Sequence, residues 1–181
     1  MSDELIDIYD ENNNPTGARK MKSEAHCDGL WHRNIHIWIY NSVGEILLQL
    51  RAKEKPLYPD VWDVSVAGHV GTGEDLLVSA LREVEEEIGL KIKPEDLQFF
   101  KIRKINMVYK EIQNNEFAYI YFLKFDGDIS QLKLQDEELQ AIKFFSVQKI
   151  EAELKANPDK FAPCGDYWFE VIEEVKRRMK I

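Results

Sequence analysis

Three glutamates in the middle of the chain have the spacing that places carboxylates on one face of a helix. Glu83, Glu86 and Glu87 are separated by three and four residues, so a helix would bring their side chains together. Such like charges destabilise a helix by roughly 0.2–0.5 kcal/mol per pair, and Arg82 is the cation beside them. Mg²⁺ prefers carboxylate, water and phosphate oxygens, so it would offset the repulsion. The spacing predicts a metal site that binds phosphates, although a solvated acidic helix face has the same pattern.

The residues around these glutamates predict a helix over residues 75–88 with a loop at each end. Thr72 can cap its N-terminus with Asp75 as partner, and Gly89 followed by Leu90 is typical of a left-handed C-terminal cap. Apolar residues recur every three or four positions and predict the face that packs on a sheet, namely Leu77, Ala80, Leu81, Val84 and Ile88.

Short strands and a few helices alternate along the rest of the chain, which is typical of an α/β or α+β layered domain. β-rich runs predict strands at residues 5–9, 35–40, 45–50, 99–108, 117–125 and 142–147. Helical periodicity also appears at residues 147–154 and 167–179. The 181 residues suit one domain, with an N-terminal extension over 1–30, a core over 31–150 and a C-terminal helical segment over 151–181.

The overall charge and hydropathy restrict the partners. A net charge of -9 argues against binding of a nucleic-acid polymer, because that role needs a cationic surface. The N-terminus is acidic, and no run of about 18 apolar residues occurs, so neither a signal peptide nor a membrane span is predicted. The two widely separated cysteines, Cys27 and Cys164, suit a reducing compartment. We expect a cytoplasmic protein without a membrane partner.

The segment from Gly68 to Leu90 resembles the signature of the Nudix hydrolase family. That signature is Gly, five residues, Glu, seven residues, then Arg-Glu-aliphatic-any-Glu-Glu-any-Gly-aliphatic. All of its specified positions are filled, by Gly68, Glu74, Arg82, Glu83, Val84, Glu86, Glu87, Gly89 and Leu90. Chance would produce this match on the order of once in a million chains of this length or less. The resemblance implies an α/β/α sandwich with a mixed β-sheet, and a hydrolase that acts on phosphorus-containing acid anhydrides.

The resemblance also implies which atoms hold the metal. Glu83, Glu86 and Glu87 would supply carboxylate ligands to Mg²⁺ or Mn²⁺, and the Ala67 carbonyl would be a further backbone ligand. The three glutamates are therefore candidates both for metal binding and for catalysis.

Other positions of the signature have implied supporting roles. Arg82 would orient a glutamate through an ion pair, and Gly68 would let the chain approach the metal and substrate closely. Glu74 would hold the loop to the helix or reach the metal through water. For the base that activates the attacking water we rank Glu83 first and Glu116 second, since related enzymes use different glutamates.

A second similarity, over roughly residues 1–125, is to the isopentenyl-diphosphate isomerase branch of the same superfamily. The matching stretches are His32 with Trp38 six residues on, Arg51 with Lys55, and Trp62 through Gly68-His69. In the isomerases, the positions that match Arg51 and Lys55 hold the diphosphate. Solvated cations after a strand have the same pattern, so both interpretations stay open.

The same similarity points to histidines. Positions that match His32, His69 and Glu116 bind metal in the isomerases, and whether His32 and His69 do so here is left open. For His26 and His36 we favour ordinary packing or surface positions.

The isomerase similarity stops at the residues that its chemistry requires. Its catalytic cysteine is replaced by Ala67, and a second metal-binding glutamate by Asn114. We therefore expect a Mg²⁺-dependent pyrophosphohydrolase that acts on a nucleoside diphosphate-linked or other small organic diphosphate. The alternatives are an isopentenyl-diphosphate isomerase-like enzyme and a non-catalytic nucleotide- or diphosphate-binding module. The substrate, the number of metal ions and the oligomeric state are not predicted.

Overall fold

The computed structural model describes residues 3–180, which form a seven-stranded mixed sheet, a separate two-stranded hairpin and four α-helices. The strands are β1 (Leu5–Tyr9), β2 (Pro15–Met21), β3 (His32–Tyr40), β4 (Glu45–Arg51), β5 (Trp62–Asp63), β6 (Val66–His69), β7 (Leu97–Tyr109), β8 (Ile112–Lys124) and β9 (Leu139–Ser146). The helices are α1 (Lys22–Asp28), α2 (Leu76–Ile88), α3 (Val147–Ala156) and α4 (Tyr167–Met179). No helix in this part of the chain is long and apolar enough to cross a membrane.

Strand β3 lies at the centre of the sheet and brings distant residues together. The order is β5-β4-β3-β8-β7, with β6 paired to β3 and β9 paired to β4. Strands β3 and β8 are parallel, and the register places His32 opposite Glu116. Strand β6 runs antiparallel to β3 and places His69 opposite Asn34. Polar residues far apart in the sequence therefore meet at one end of β3.

Alternation along β3 divides the core between the two faces of the sheet. Ile35, Ile37 and Ile39 are buried in the cluster that contains the apolar side chains of α2. Trp38 and Tyr40 belong to the cluster that contains those of α3 and α4. Side chains of successive strand residues point to opposite faces, so helices cover both sides. The predicted α/β/α sandwich with a mixed sheet is confirmed.

The ends of α2 agree only in part with the sequence prediction. The cap is Asp75, whose carboxylate accepts a hydrogen bond from Leu77 N at 2.8 Å, so the prediction of Thr72 as the cap was wrong. The helix begins at Leu76, which packs against the core, while Leu77 is exposed on the other side. Gly89 has φ +68° and caps the C-terminus as predicted.

The N-terminal segment packs beside the main sheet as β1, β2 and α1. The predicted strand 5–9 is present, whereas α1 was not predicted. Backbone bridges from Ile6 to Gly71 and from Tyr9 to Trp31 fasten the segment to the core. Helix α1 is thereby held near the loop that precedes α2.

Candidate metal and diphosphate site

A polar cavity of about 310 Å³ opens between α2, β6, β8 and the N-terminal segment. Carboxylates outnumber cations on its wall: the acidic residues are Glu4, Asp63, Glu83, Glu86, Glu87, Glu116 and Glu138, and the basic ones are Lys22, Arg51, Lys55 and Arg82. A diphosphate would be repelled by such a wall unless a metal cation inverted the local charge. The cavity therefore has the electrostatics of a metal site rather than of a simple anion site.

Two of the three signature glutamates are buried against this cavity. The exposed fraction is 8% for Glu83 and 2% for Glu87. Burial raises the pKa of Glu83 to about 7. Burial, with the nearby charges of Glu83 and Glu138, raises the pKa of Glu87 well above its ordinary value. Among residues 3–180, Glu87 Oε2 has no hydrogen-bond partner. An unpartnered buried carboxylate oxygen fits a metal ligand, because a cation would stabilise its charged form.

Arg82 holds the carboxylates of the signature in place. Its Nη1 donates to Glu83 Oε1 at 2.7 Å and to Glu86 Oε2 at 3.1 Å. Its Nη2 donates to Glu74 Oε2 and to the His69 carbonyl, both at 3.0 Å. The guanidinium thus orients two glutamates and also ties α2 to β6. Of the two roles implied for Glu74, the contacts support holding the loop to the helix.

Replacement of Arg82 by lysine should lower kcat by roughly 10- to 100-fold, the usual effect of losing a group that orients metal ligands. A lysine keeps the charge but cannot donate in the planar fork that reaches Glu83, Glu86 and Glu74 together. Steady-state kinetics with saturating Mg²⁺ would measure the effect. An Arg82→Lys protein with normal kcat would show that charge alone suffices at this position.

Gly68 lies against the Glu83 carboxylate. A Cβ at this position would be 1.9 Å from Glu83 Cδ and 2.2 Å from both of its carboxylate oxygens. The close approach implied for Gly68 is thus made to Glu83 itself. Ala67 precedes it on β6 and lines the cavity.

A second cluster of ligand-type side chains lies in the same cavity. One ring nitrogen each from His26, His32 and His69 and one Glu116 oxygen lie within 4.8 Å of one another. His26 Nε2 is 3.2 Å from His32 Nε2, and His69 Nε2 is 3.6 Å from Glu116 Oε1. In the described chain, His69 Nε2 is buried without a hydrogen-bond partner. These donors fit a divalent cation.

The protonation of this cluster suits metal binding. Burial lowers the pKa of His26 to about 4 and that of His69 well below its ordinary value, so both imidazoles are neutral at pH 7. His32 Nδ1 donates to the Leu30 carbonyl at 2.9 Å, and this hydrogen bond directs Nε2 towards the cluster, 3.2 Å from His26 Nε2. The structure brings His26 into this cluster, whereas we had favoured an ordinary packing or surface position.

Glu116 is buried inside β8, not just before the strand as the sequence suggested. Its Oε2 accepts a hydrogen bond from Asn34 Nδ2 at 2.7 Å. Asn114, which replaces a metal-binding glutamate of the isomerases, also lines the cavity and is buried. Glu116 therefore faces the same space as the signature helix, at the histidine cluster.

The two predicted diphosphate-binding cations line the cavity but already contact the protein. Arg51 donates to the carbonyls of Leu57 and Tyr58 and to Asp63. Lys55 forms an ion pair with Glu138. To bind a diphosphate, Lys55 would have to exchange this carboxylate for phosphate. The geometry assigns Arg51 first of all to holding the loop that follows β4.

Three residues of the site had no signal in the sequence. Glu4 Oε1 lies 3.6 Å from His69 Nδ1, and Glu138 contributes to the raised pKa of Glu87. His26 reaches the cavity from α1. Each comes from an element remote in sequence from α2, so spacing within the signature could not reveal it.

The burial of Glu83 predicts how metal-free protein responds to pH. The pKa of Glu83 rises on folding from 4.5 to about 7, so its stabilising contribution is present below about 4.5 and is lost as pH rises to 7. Between pH 5.5 and 8, we expect the Tm in EDTA to fall by roughly 4–8 °C more than in a Glu83→Gln variant. Thermal unfolding with and without Mg²⁺ would measure this. Mg²⁺ should raise the Tm more at pH 8, because it binds the deprotonated ligands; equal stabilisation at both pH values would contradict this.

The structure is an α/β domain in which helices cover both faces of a mixed sheet. One capped helix presents buried glutamates to a polar cavity. The NUDIX domain family model matches residues 30–163. The chain belongs to the Nudix hydrolase family, whose members cleave pyrophosphate bonds and generally use divalent metal ions. The predictions of family and enzyme class are thereby confirmed.

Individual relatives agree with this assignment. Nudix hydrolase 3 of Arabidopsis thaliana is 32% identical over 96% of this chain, which spans only 24% of that longer protein. An isopentenyl-diphosphate Delta-isomerase of Serratia proteamaculans is 31% identical over 94% of this chain and 89% of its own length. A crystal structure from Deinococcus radiodurans has a TM-score of 0.69 at 21% identity, covering 96% of this chain and 98% of its own, and supports the fold.

Proposed function

We propose that this chain is a Mg²⁺- or Mn²⁺-dependent pyrophosphohydrolase that cleaves the phosphoanhydride bond of a small organic diphosphate, nucleoside-linked or other. The observation that carries the proposal is the burial of Glu83 and Glu87 against a cavity in which Glu87 Oε2 has no partner among residues 3–180. A buried carboxylate without a partner destabilises the folded protein, and a cation bound at this position would compensate its charge.

In this proposal Glu83, Glu86, Glu87 and the Ala67 carbonyl would hold the metal. A bound cation would shield the phosphate charge and lower the pKa of the attacking water. Glu83 is the first candidate for the base, because its buried carboxylate lines the cavity in which the attacking water would be activated. Glu116 is the second candidate, since it faces the same cavity.

The remaining residues of the proposed site position the glutamates and the substrate. Arg82 orients Glu83 and Glu86, Gly68 leaves room for the Glu83 carboxylate, and Lys55 with Arg51 would face the diphosphate. Residues 31–150 would form the catalytic core of a single domain, which the segments 1–30 and 151–181 complete. His26 from the first segment already lines the cavity.

The partners in this proposal are small molecules. The net charge of -9 disfavours nucleic-acid polymers, whereas a diphosphate can enter with its metal. Cys27 and Cys164 are both free thiols, which suits the reducing cytoplasm.

A screen of organic diphosphates with Mg²⁺ tests the proposal directly. The panel should include nucleoside di- and triphosphates, nucleotide sugars, ADP-ribose and alkyl diphosphates, with phosphate release and product identity followed together. We expect turnover that depends on the metal and stops in EDTA. Tight binding without metal-dependent turnover anywhere in the panel would instead indicate a binding module.

The histidine cluster supports a second candidate, an isopentenyl-diphosphate isomerase-like enzyme. His26, His32, His69 and Glu116 are assembled in the cavity, and a relative at 31% identity carries the isomerase name. Ala67 offers no acid where the isomerases have their catalytic cysteine, which favours hydrolysis. Formation of dimethylallyl diphosphate from isopentenyl diphosphate by purified protein would decide for the isomerase.

A further inference from the structure

A second cavity borders the polar cavity at the N-terminal turn of α4. Its volume is about 640 Å³, and its wall is formed mainly by Tyr58, Tyr109, Leu154, Phe161, Trp168 and Phe169. Among the residues that the structure describes, Asp159 is the one charged side chain on this wall. We call this space the aromatic groove. It has the apolar lining typical of sites for organic groups.

The aromatic groove shares part of its wall with the candidate active site. Tyr58 and Ala162 line both spaces. A chain attached to a diphosphate in the polar cavity would pass Tyr58 to enter the groove. Such a molecule would have its charged end in the polar cavity and its apolar end in the groove.

The loop that carries Tyr58 is held in a strained conformation at this junction. Tyr58 has φ +44°, a left-handed conformation that a bulky side chain rarely adopts. Arg51 Nε donates to the Tyr58 carbonyl at 2.9 Å, and Nη2 donates to the Leu57 carbonyl at 2.8 Å. The Tyr58 ring packs on Tyr109 with centroids 4.3 Å apart. Strain of this kind is concentrated at ligand sites, where it fixes a wall before the ligand binds.

The chemistry of the wall selects among organic groups. A phosphate in the groove would meet a carboxylate, Asp159, and no cation from residues 3–180. A nucleoside would bury the hydrogen-bonding edges of its base and ribose against a wall with few polar partners, which is unfavourable. A hydrocarbon chain has no such groups and gains free energy from burial beside aromatic side chains.

We propose that the aromatic groove binds a hydrocarbon chain attached to the diphosphate, so that the substrate is an alkyl diphosphate with a chain long enough to pass Tyr58. This inference rests on the proposed function. Tyr58 and Tyr109 are the specificity-determining residues, and Arg51 is a positioning residue that holds the loop. In the reaction, water oxygen bonds to one phosphorus and the bridging oxygen leaves with the other, giving an alkyl monophosphate and inorganic phosphate.

A series of n-alkyl diphosphates from ethyl to dodecyl tests the inference. In saturating Mg²⁺, kcat/KM should rise by roughly threefold for each methylene that becomes buried in the groove. ADP should be a poorer substrate than dodecyl diphosphate. Equal kcat/KM along the series, or a preference for ADP, would overturn the inference while leaving a diphosphate hydrolase in place.

Two variants distinguish the loss of chain binding in the groove from a general effect on folding. Tyr109→Ala should flatten the dependence of kcat/KM on chain length, because the removed ring forms part of the groove wall. The slope of that dependence is the quantity compared between variants. Phe99→Ala is the matched control, since Phe99 is an exposed aromatic side chain that lines neither cavity. It should keep the full chain-length dependence. A steep dependence that survives in Tyr109→Ala would place the chain elsewhere and overturn the inference.

Binding measured by calorimetry tests the groove assignment independently of catalysis. Methylenebisphosphonate analogues with ethyl and dodecyl chains cannot be hydrolysed, so they report binding even if turnover fails. We expect the dodecyl analogue to bind at least about 100-fold more tightly in the presence of Mg²⁺, the consequence of burying several methylenes. Equal affinities would overturn the groove assignment, whereas tight chain-dependent binding without turnover would contradict only the proposed hydrolysis.

Discussion

Replacement of Glu87 by glutamine is expected to lower kcat by roughly a thousandfold, because loss of several kcal/mol of metal-supplied stabilisation costs a factor of ten for each ~1.4 kcal/mol. The side chain is 2% exposed, and burial raises its pKa, so ionisation of this carboxyl group is unfavourable in the metal-free protein. Glutamine cannot ionise and retains the shape. The variant should therefore be as stable as the wild type in EDTA and lose most of its stabilisation by Mg²⁺.

The neighbouring glutamate Glu85 provides a matched control on the same helix. It is exposed and pairs with Lys91 at 3.1 Å, away from the polar cavity. Glu85→Gln should change kcat by less than about twofold, since exposed ion pairs contribute little. Full turnover in Glu87→Gln, or equal losses in the two variants, would show that the buried carboxylates are not the metal ligands.

Replacement of Gly68 by alanine should lower kcat on the order of a hundredfold or more without unfolding the protein. The added Cβ would lie 1.9 Å from Glu83 Cδ, so the carboxylate would have to leave its position beside Arg82. A displacement of this size disrupts the alignment of reacting groups. Gly68 is not among the described glycines with positive φ, so alanine introduces no backbone strain there. Steady-state kinetics and thermal unfolding of the same preparation would measure both effects.

A double variant shows whether Gly68 acts through Glu83. If the added methyl group lowers kcat by moving the Glu83 carboxylate, Gly68→Ala should lower kcat little further in a Glu83→Ala background. Such a non-additive result is typical of residues in contact. Independent, multiplying losses would instead indicate that Gly68 contacts the metal or the substrate by itself.

The helix that carries the chemistry could be predicted from the sequence because its information is local. Because an α-helix has 3.6 residues per turn, the spacing of Glu83, Glu86 and Glu87 places their side chains on one side of the helix. Gly89 supplies the left-handed residue at the C-terminal end of the helix. The cap was misplaced by three residues. Both Thr72 and Asp75 are good capping residues, and the hydrogen bond to Leu77 N decides between them.

The three glutamates of the signature differ in burial, which their spacing in the sequence did not predict. Spacing made Glu83, Glu86 and Glu87 equivalent, whereas the structure buries Glu83 and Glu87 and leaves the Glu86 side chain 53% exposed, held by Arg82. Which side of an acidic helix meets a cavity depends on how the helix packs on the sheet. Its own periodicity does not contain that information.

The sequence by itself determined the family and the carboxylate helix, since both follow from short-range spacing, and the mixed-sheet architecture followed from the family resemblance. Only the tertiary structure decided that His26 joins His32, His69 and Glu116, and that Tyr58 and Ala162 line both the polar cavity and the aromatic groove. The physical reason is the range of the interactions. The parallel register of β3 with β8 and the docking of α1 bring together side chains up to 90 positions apart, and no local pattern specifies such contacts.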